Sequence, residues 1–196
     1  NMFKNENLRY NALNKIAESH GIVILGCGED FSIPVGELRQ AFAITPKIYN
    51  RSFPDLSVKE AITIYDEYVS TLTPETVLLH IGMNDLDFFH ENSTLFIQKY
   101  RDLLAHIRQQ NANCRIAIIA LKNYDNNSLI GELNTHLKYL SESEHCEYID
   151  ISAKKLWNPK GTMDAVSFVY SIGFVHPLQN KRPLYDLAKI FFCYEA

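Results

Sequence analysis

The sequence has few of the residues that form disulfides and metal sites, the features that stabilise many small or extracellular proteins. It has four cysteines, and none of them stands in a CxxC or Cys/His metal spacing. The four positions are Cys27, Cys114, Cys146 and Cys193. Isolated cysteines of this kind are typical of small core residues in a reducing compartment. We therefore expect a cytoplasmic protein that has no disulfide framework, no metal and no cofactor.

Long apolar runs and an excess of positive charge are also missing. The longest aliphatic run, Ile116 to Leu121, is far shorter than the roughly 20 residues that span a bilayer. Lys and Arg number 19 against 23 Asp and Glu, so the net charge is −4. This balance gives no basic field for a nucleic-acid backbone. We expect neither a membrane nor a nucleic acid as partner.

What the sequence does contain is an alternation of aliphatic runs and helical patterns. Five runs predict strands, namely Ile22 to Leu25, Lys47 to Tyr49, Thr76 to Ile81, Arg115 to Leu121 and Glu147 to Ile151. Near-continuous apolar strands separated by helices predict a parallel sheet covered on both faces. The chain of 196 residues fits one domain. The predicted fold is α/β, a single three-layer α/β/α sandwich over residues 1–196, with 1–20 as an N-terminal helical extension.

Two helix boundaries are also predicted. The apolar spacing from Asn11 to Ser19 predicts a helix that ends at Gly21. Ser57 and Glu60 have the spacing of a capping box, in which each side chain satisfies a free backbone amide. The apolar positions that follow, as far as Leu72, predict the helix that this box would begin.

In a sheet of this kind, ligands lie beyond the carboxyl ends of the strands. The loops that follow the predicted strands resemble those of the SGNH (GDSL-type) esterase and acylhydrolase superfamily. The strongest match is Leu79-His80-Ile81-Gly82-Met83-Asn84-Asp85-Leu86, which is similar to the Gly-x-Asn-Asp block. Tyr49-Asn50-Arg51-Ser52-Phe53 resembles the Asn-Arg segment, and Phe174-Val175-His176-Pro177 resembles the block before the last helix.

This resemblance implies a flavodoxin-like sheet and activity on a small ester or acylated molecule. It implies that His176 is the general base and that the Asn84 amide donates to an oxyanion. The implied cleft is lined by Gly26, Gly28, Asp55, Gly82 and Asn84.

Three departures from the family pattern fall on residues that carry the chemistry. Gly28 stands where the family has its nucleophilic Ser, and Gly has no atom with which to attack. Gly173 stands where the family has the Asp that pairs with its His. Asp55 stands at the oxyanion-hole Gly, where its charge would repel the developing anion.

Three hypotheses follow, of which the first is favoured. In the first, the chain is degenerate as a serine esterase and retains a ligand-binding cleft. In the second, it is an active esterase or deacetylase that uses Cys27 as nucleophile, or water activated by a carboxylate such as Glu29 or Asp30. In the third, a flavodoxin-like module binds phosphate or a nucleotide in a backbone nest at Gly26-Cys27-Gly28.

The same residues have plainer interpretations. Cys27 fits a small packed residue at a strand end, and Glu29 and Asp30 fit capping or solvated charges. We expect Asp85 to tie down its own loop.

Overall fold

The computed structural model describes residues 4–151 and 184–192. These residues contain five strands, close to the five predicted runs. They are β1 (Ile22–Gly26), β2 (Ile48–Asn50), β3 (Thr76–His80), β4 (Arg115–Ile119) and β5 (Glu147–Ile149). All neighbouring pairs are parallel, so the predicted sheet is confirmed.

The strand order places the loops that follow β1 and β3 side by side at one edge of the sheet. The order is β2-β1-β3-β4-β5, which is the flavodoxin-like order. Because the order reverses at β1, the chain leaves β1 and β3 in different directions, and a crevice forms beyond their carboxyl ends. Gly26 and His80, the last residues of these strands, are register partners.

Helices cover both faces of the sheet, as predicted. They are α1 (Lys4–Asn14), α2 (Val35–Ala41), α3 (Ala61–Ile64), α4 (Leu86–Glu91), α5 (Ser93–Gln110), α6 (Ser128–Ser143) and α7 (Leu184–Phe192). One hydrophobic core lies beneath α3, α5 and α6, and the second lies beneath α2 and α7. Among the described residues, no helix has the length and apolar content to cross a membrane.

The predicted position of the first helix is wrong. The helix begins at Lys4 and ends at Asn14, so Ile16 lies outside it and is 80% exposed. The amides of Lys15 and Ile16 bond three residues back, which tightens the last turn and ends the helix. Asn14 then accepts a hydrogen bond from Arg51, which fixes the helix end against the loop after β2.

The reciprocal capping box that was predicted is only half present. The Ser57 hydroxyl accepts from the Lys59 amide at 3.3 Å, but it also donates to the Glu60 carboxylate, and the helix begins only at Ala61. The amide of Val58 is bound by Asp85, whose two carboxylate oxygens lie 3.2 and 3.0 Å from it. The helical path then continues through a π-turn, Tyr65–Val69, and a 3₁₀ turn, Ser70–Leu72.

Candidate active site at the carboxyl edge of the sheet

The predicted site loops meet at the carboxyl ends of β1, β2 and β3. Gly28 begins a 3₁₀ turn directly after β1, and Asn84 lies in a 3₁₀ turn after β3. Pro54 lies between them, in the loop after β2. His176 and Gly173 lie outside the described residues, and so does the rest of their block.

One backbone oxygen joins these three loops. The amide of Gly28 donates to the Pro54 carbonyl at 2.8 Å, and the Asn84 side-chain amide donates to the same oxygen at 2.9 Å. The Asn84 amide also donates to the Leu56 carbonyl at 3.0 Å. Two N–H donors aimed at one oxygen form the geometry of an oxyanion hole. Here the oxygen that accepts from both donors is the Pro54 carbonyl of the chain itself, in place of a substrate oxygen.

The rim of this corner remains open to solvent. Gly28 and Asn84 are exposed, and so is Asp55. Gly28 has a φ of +59°, and a Cβ added there would meet no heavy atom within 4 Å. Gly82 has a φ of +137°, which favours glycine at the start of the turn that carries Asn84. The rim is therefore accessible, and Gly28, which the sequence resemblance aligns with the family's Ser, leaves open space there.

Beneath the rim lies a carboxylate–imidazole pair that sequence reasoning missed. Asp30 Oδ2 and His80 Nδ1 are 2.6 Å apart, and both residues are buried. The expectation that Asp30 is a cap or a solvated charge is wrong. The physical reason is Gly26, because a Cβ there would lie 2.1 Å from Asp30 Oδ2. The bare backbone at Gly26 lets the carboxylate reach the His on the neighbouring strand.

The pair is held from several sides. The Asn50 amide donates to the backbone carbonyl of Asp30 at 2.7 Å. The His80 ring packs edge-on against Phe192 of α7, with ring centroids 5.0 Å apart. Its Nε2 is buried and has no hydrogen-bond partner in the described part of the chain. The one signal of this pair in the sequence is His80, a polar residue that ends an otherwise aliphatic strand.

Asp85 also departs from its expected role. It is 1% exposed and binds the amide of Val58 in the loop after β2, rather than tying down its own loop. Burial raises its pKa to about 6. Asp85 and Asn84 therefore attach the loop after β3 to the loop after β2 at two neighbouring points.

Comparison with known proteins rests on structure, since no family model and no curated protein matches the sequence. A Streptococcus pneumonia protein named as a platelet activating factor candidate matches with a TM-score of 0.65 and 14% identity, over 86% of this chain and 90% of that one. A GDSL-like lipase from Bacteroides thetaiotaomicron matches with a TM-score of 0.59 and 14% identity, over 84% and 91%. A catalytic mutant of an acetylxylan esterase from Geobacillus stearothermophilus matches with a TM-score of 0.55 and 14% identity, over 91% and 97%.

The chain has the SGNH hydrolase fold. The resemblance in the strand-end loops and the topology of the sheet thus agree. At this level of identity the likeness shows the fold alone, and the chemistry must be argued from the residues at the carboxyl edge.

Cys27 lies at this edge of the SGNH fold, on the core side. It is 4% exposed, and its thiol donates to the His80 backbone carbonyl at 3.5 Å. Burial, together with the charge of Asp30, raises the pKa of this thiol to about 11. A cysteine nucleophile needs the opposite shift, because the thiolate is the attacking species.

The close approach at Gly26 gives a testable prediction about the SGNH fold here. Gly26→Ala is expected to lower the free energy of unfolding by about 1–3 kcal/mol, because the new Cβ must displace the Asp30 carboxylate. Gly36→Ala is the matched control, since a Cβ there meets nothing within 4 Å and the residue lies in α2. Urea denaturation of both variants checks this, and equal stabilities would contradict it.

Proposed function

We propose that this SGNH-fold chain does not hydrolyse esters by the serine mechanism and that it uses the same edge of the sheet to bind a small ester or acylated molecule. The observation that carries the proposal is the Pro54 carbonyl, which accepts from both Gly28 and Asn84. A chain whose own oxygen fills this position has no free pair of donors for a substrate oxyanion.

The missing nucleophile supports the first half of the proposal. Gly28 follows β1 at the position where the SGNH pattern has Ser, and no acyl-enzyme can form on a residue without a side chain. Removal of a hydrolase nucleophile typically lowers kcat by about 10⁶-fold. Residual catalysis then comes from oxyanion contacts and binding.

The Pro54 carbonyl also lowers the residual catalysis that oxyanion contacts could provide. Loss of a single oxyanion donor costs about 10²- to 10³-fold in kcat. Gly28 and Asn84 would each have to release Pro54 before either could donate to a substrate. The lone pairs of Pro54 at this position would repel a developing negative charge.

The alternative of a relocated nucleophile has weaker support. The raised pKa keeps Cys27 protonated near neutral pH. Asp30 already binds His80, so its Oδ2 is committed. The exposed Glu29 keeps a free carboxylate, although among the described residues it has no hydrogen-bond partner that would position it toward a water.

The hypothesis of a phosphate nest is also weakened by existing bonds. The Gly26 amide donates to Ser52 Oγ at 2.9 Å, and the Gly28 amide donates to Pro54. Two of the three amides that would hold a phosphate are therefore used within the chain.

Support for a ligand comes from the exposed rim. Gly28, Asn84 and Asp55 all face solvent, and the space beside Gly28 is open. A small ester or acylated molecule fits the class of partner that the loop resemblance implies.

The test is hydrolysis of p-nitrophenyl acetate and p-nitrophenyl butyrate by the wild-type chain, His176→Ala and Cys27→Ala. We expect all three proteins to match the buffer rate, beside an active esterase assayed in parallel. Turnover by the wild type that falls at least tenfold in His176→Ala would contradict the proposal. A matching fall in Cys27→Ala would identify the thiol as the nucleophile.

Binding is tested separately with the same two esters as probes, by saturation-transfer NMR. We expect saturable signals in the wild type that are lost in Gly28→Phe, whose ring would enter the open space. No saturable signal for either ester would contradict the ligand-binding half and leave the loss of hydrolysis standing.

A further inference from the structure

A second candidate site is a cavity beside the edge strand β2, away from Gly28 and Asn84. A cavity of about 310 Å³, open to solvent on one side, is bordered by the end of α1, the start of α2 and the edge strand β2. This volume is within the range of small-molecule sites. Its lining includes Arg9 and Arg51, with Tyr49 between the strand and the helices.

Arg51 is a buried cation without a carboxylate partner in residues 4–151 or 184–192. It is 3% exposed. Its Nε donates to Asn14 Oδ1 at 2.8 Å, and its Nη1 donates to the Asn50 carbonyl at 2.8 Å. Its Nη2 has no hydrogen-bond partner in the described part of the chain. Buried charges in proteins are ordinarily paired, and no carboxylate pairs with this guanidinium in the described part of the chain.

Aromatic rings fix the orientation of this guanidinium. Its central carbon lies 5.2 Å from the ring centre of Tyr10 and 5.4 Å from that of Tyr49. Stacking on these rings leaves only the edge of the guanidinium for a further partner. Burial lowers the pKa of Arg51, which a bound anion would counteract.

Arg9 supplies a second cation to the same cavity. It is exposed, and its guanidinium carbon lies 5.1 Å from the Phe31 ring centre and 5.8 Å from that of Tyr10. The acidic residue in the lining is Glu37, which is exposed at the start of α2. Two arginines against one solvated glutamate leave the cavity positively charged.

We propose that this cavity binds a small anion through a carboxylate or phosphate group, with the free edge of Arg51 as the main contact and Arg9 as the second. Asn14 and Asn50 bind Nε and Nη1 of this guanidinium, so the N–H groups of Nη2 remain to donate charge-assisted hydrogen bonds to such an oxyanion. The inference does not depend on the proposed function: Arg51 lies in the segment that resembles the Asn-Arg block, but the cavity uses none of Gly28, Pro54 or Asn84.

The test is isothermal titration calorimetry of the full chain with inorganic phosphate and with succinate, in chloride buffer of fixed ionic strength. We expect saturable binding of at least one probe. Arg51→Lys and Arg51→Gln are expected to weaken it by about 10- to 100-fold, because each removes a charge-assisted bond or its fork geometry. Tighter binding of phosphate or of succinate identifies the group that the cavity prefers, and either order supports the proposal.

If the Arg51 variants do not fold, variants of two exposed residues, Arg9 and Lys15, still test the proposal. Arg9→Gln is expected to weaken binding by about fivefold or more. Lys15→Gln removes the same charge from a neighbouring exposed position that does not line the cavity, and we expect it to bind as the wild type does. Absence of saturable binding by the wild type, or equal losses in Arg9→Gln and Lys15→Gln, would overturn the proposal.

Discussion

Replacing Asp30 with alanine is expected to lower the free energy of unfolding by about 3–5 kcal/mol. Asp30 and His80 are both more than nine-tenths buried and share a 2.6 Å contact. Without the carboxylate, both ring nitrogens of His80 would lack a partner in the described part of the chain. Buried polar groups left without partners account for many of the largest destabilisations. Urea denaturation monitored by circular dichroism measures the loss.

The neighbouring residue gives the control for this experiment. Glu29→Ala removes an adjacent carboxylate that is exposed, and we expect a change within about 0.5 kcal/mol. The double variant Asp30→Leu with His80→Leu should lose less stability than Asp30→Ala, because apolar pairs often replace buried polar pairs without loss. A loss in Asp30→Ala no larger than in Glu29→Ala would show that the pair does not stabilise the fold.

The second large effect is a pH-dependent difference between Asp85→Asn and the wild type. Burial raises the pKa of Asp85 from 3.8 to about 6 in the folded chain. The folded state therefore holds this proton more tightly than the unfolded state does. The stability that follows is complete below pH 4 and is lost as pH rises through 6.

Asparagine does not titrate, so Asp85→Asn does not lose this stability as pH rises. From pH 4 to pH 7.5, the difference in unfolding free energy is expected to shift by about 3 kcal/mol in favour of Asp85→Asn. Urea denaturation at several pH values measures it. Asp87→Asn is the control, since Asp87 is exposed two residues further on, in the first turn of α4. A shift of the same size in Asp87→Asn, or none in Asp85→Asn, would contradict the assignment.

The sheet could be predicted from sequence because its signal is local. The run Ile22 to Leu25 and the run Thr76 to Ile81 are aliphatic at nearly every position, which is typical of strands buried on both faces. The helix ends were harder to predict, because contacts distant in sequence decide them. Asn14 ends α1 where it meets Arg51, and the Val58 amide next to the predicted capping box is bound by Asp85, 27 residues away.

For the candidate site, the sequence predicts that the Gly28 and Asn84 loops meet, but not the contacts that join them. Parallel topology brings the loops that carry Gly28 and Asn84 together, and the sequence marks both residues. The pairing of Asp30 with His80 spans 50 positions, and nothing in local spacing indicates it. The role of Pro54 rests on a backbone carbonyl, which every residue has, so no residue type could reveal it.

Under the proposed function, the Pro54 carbonyl also bears on what it would take to design serine catalysis into this corner. Packing does not exclude a serine at position 28, because the space beside Gly28 is open, but the φ of +59° strains any residue that has a side chain. The backbone of the loop after β2 would still close the corner through Gly28 and Asn84. A design for activity would therefore have to change residue 28 and rearrange that loop together, because either change alone leaves the site incomplete.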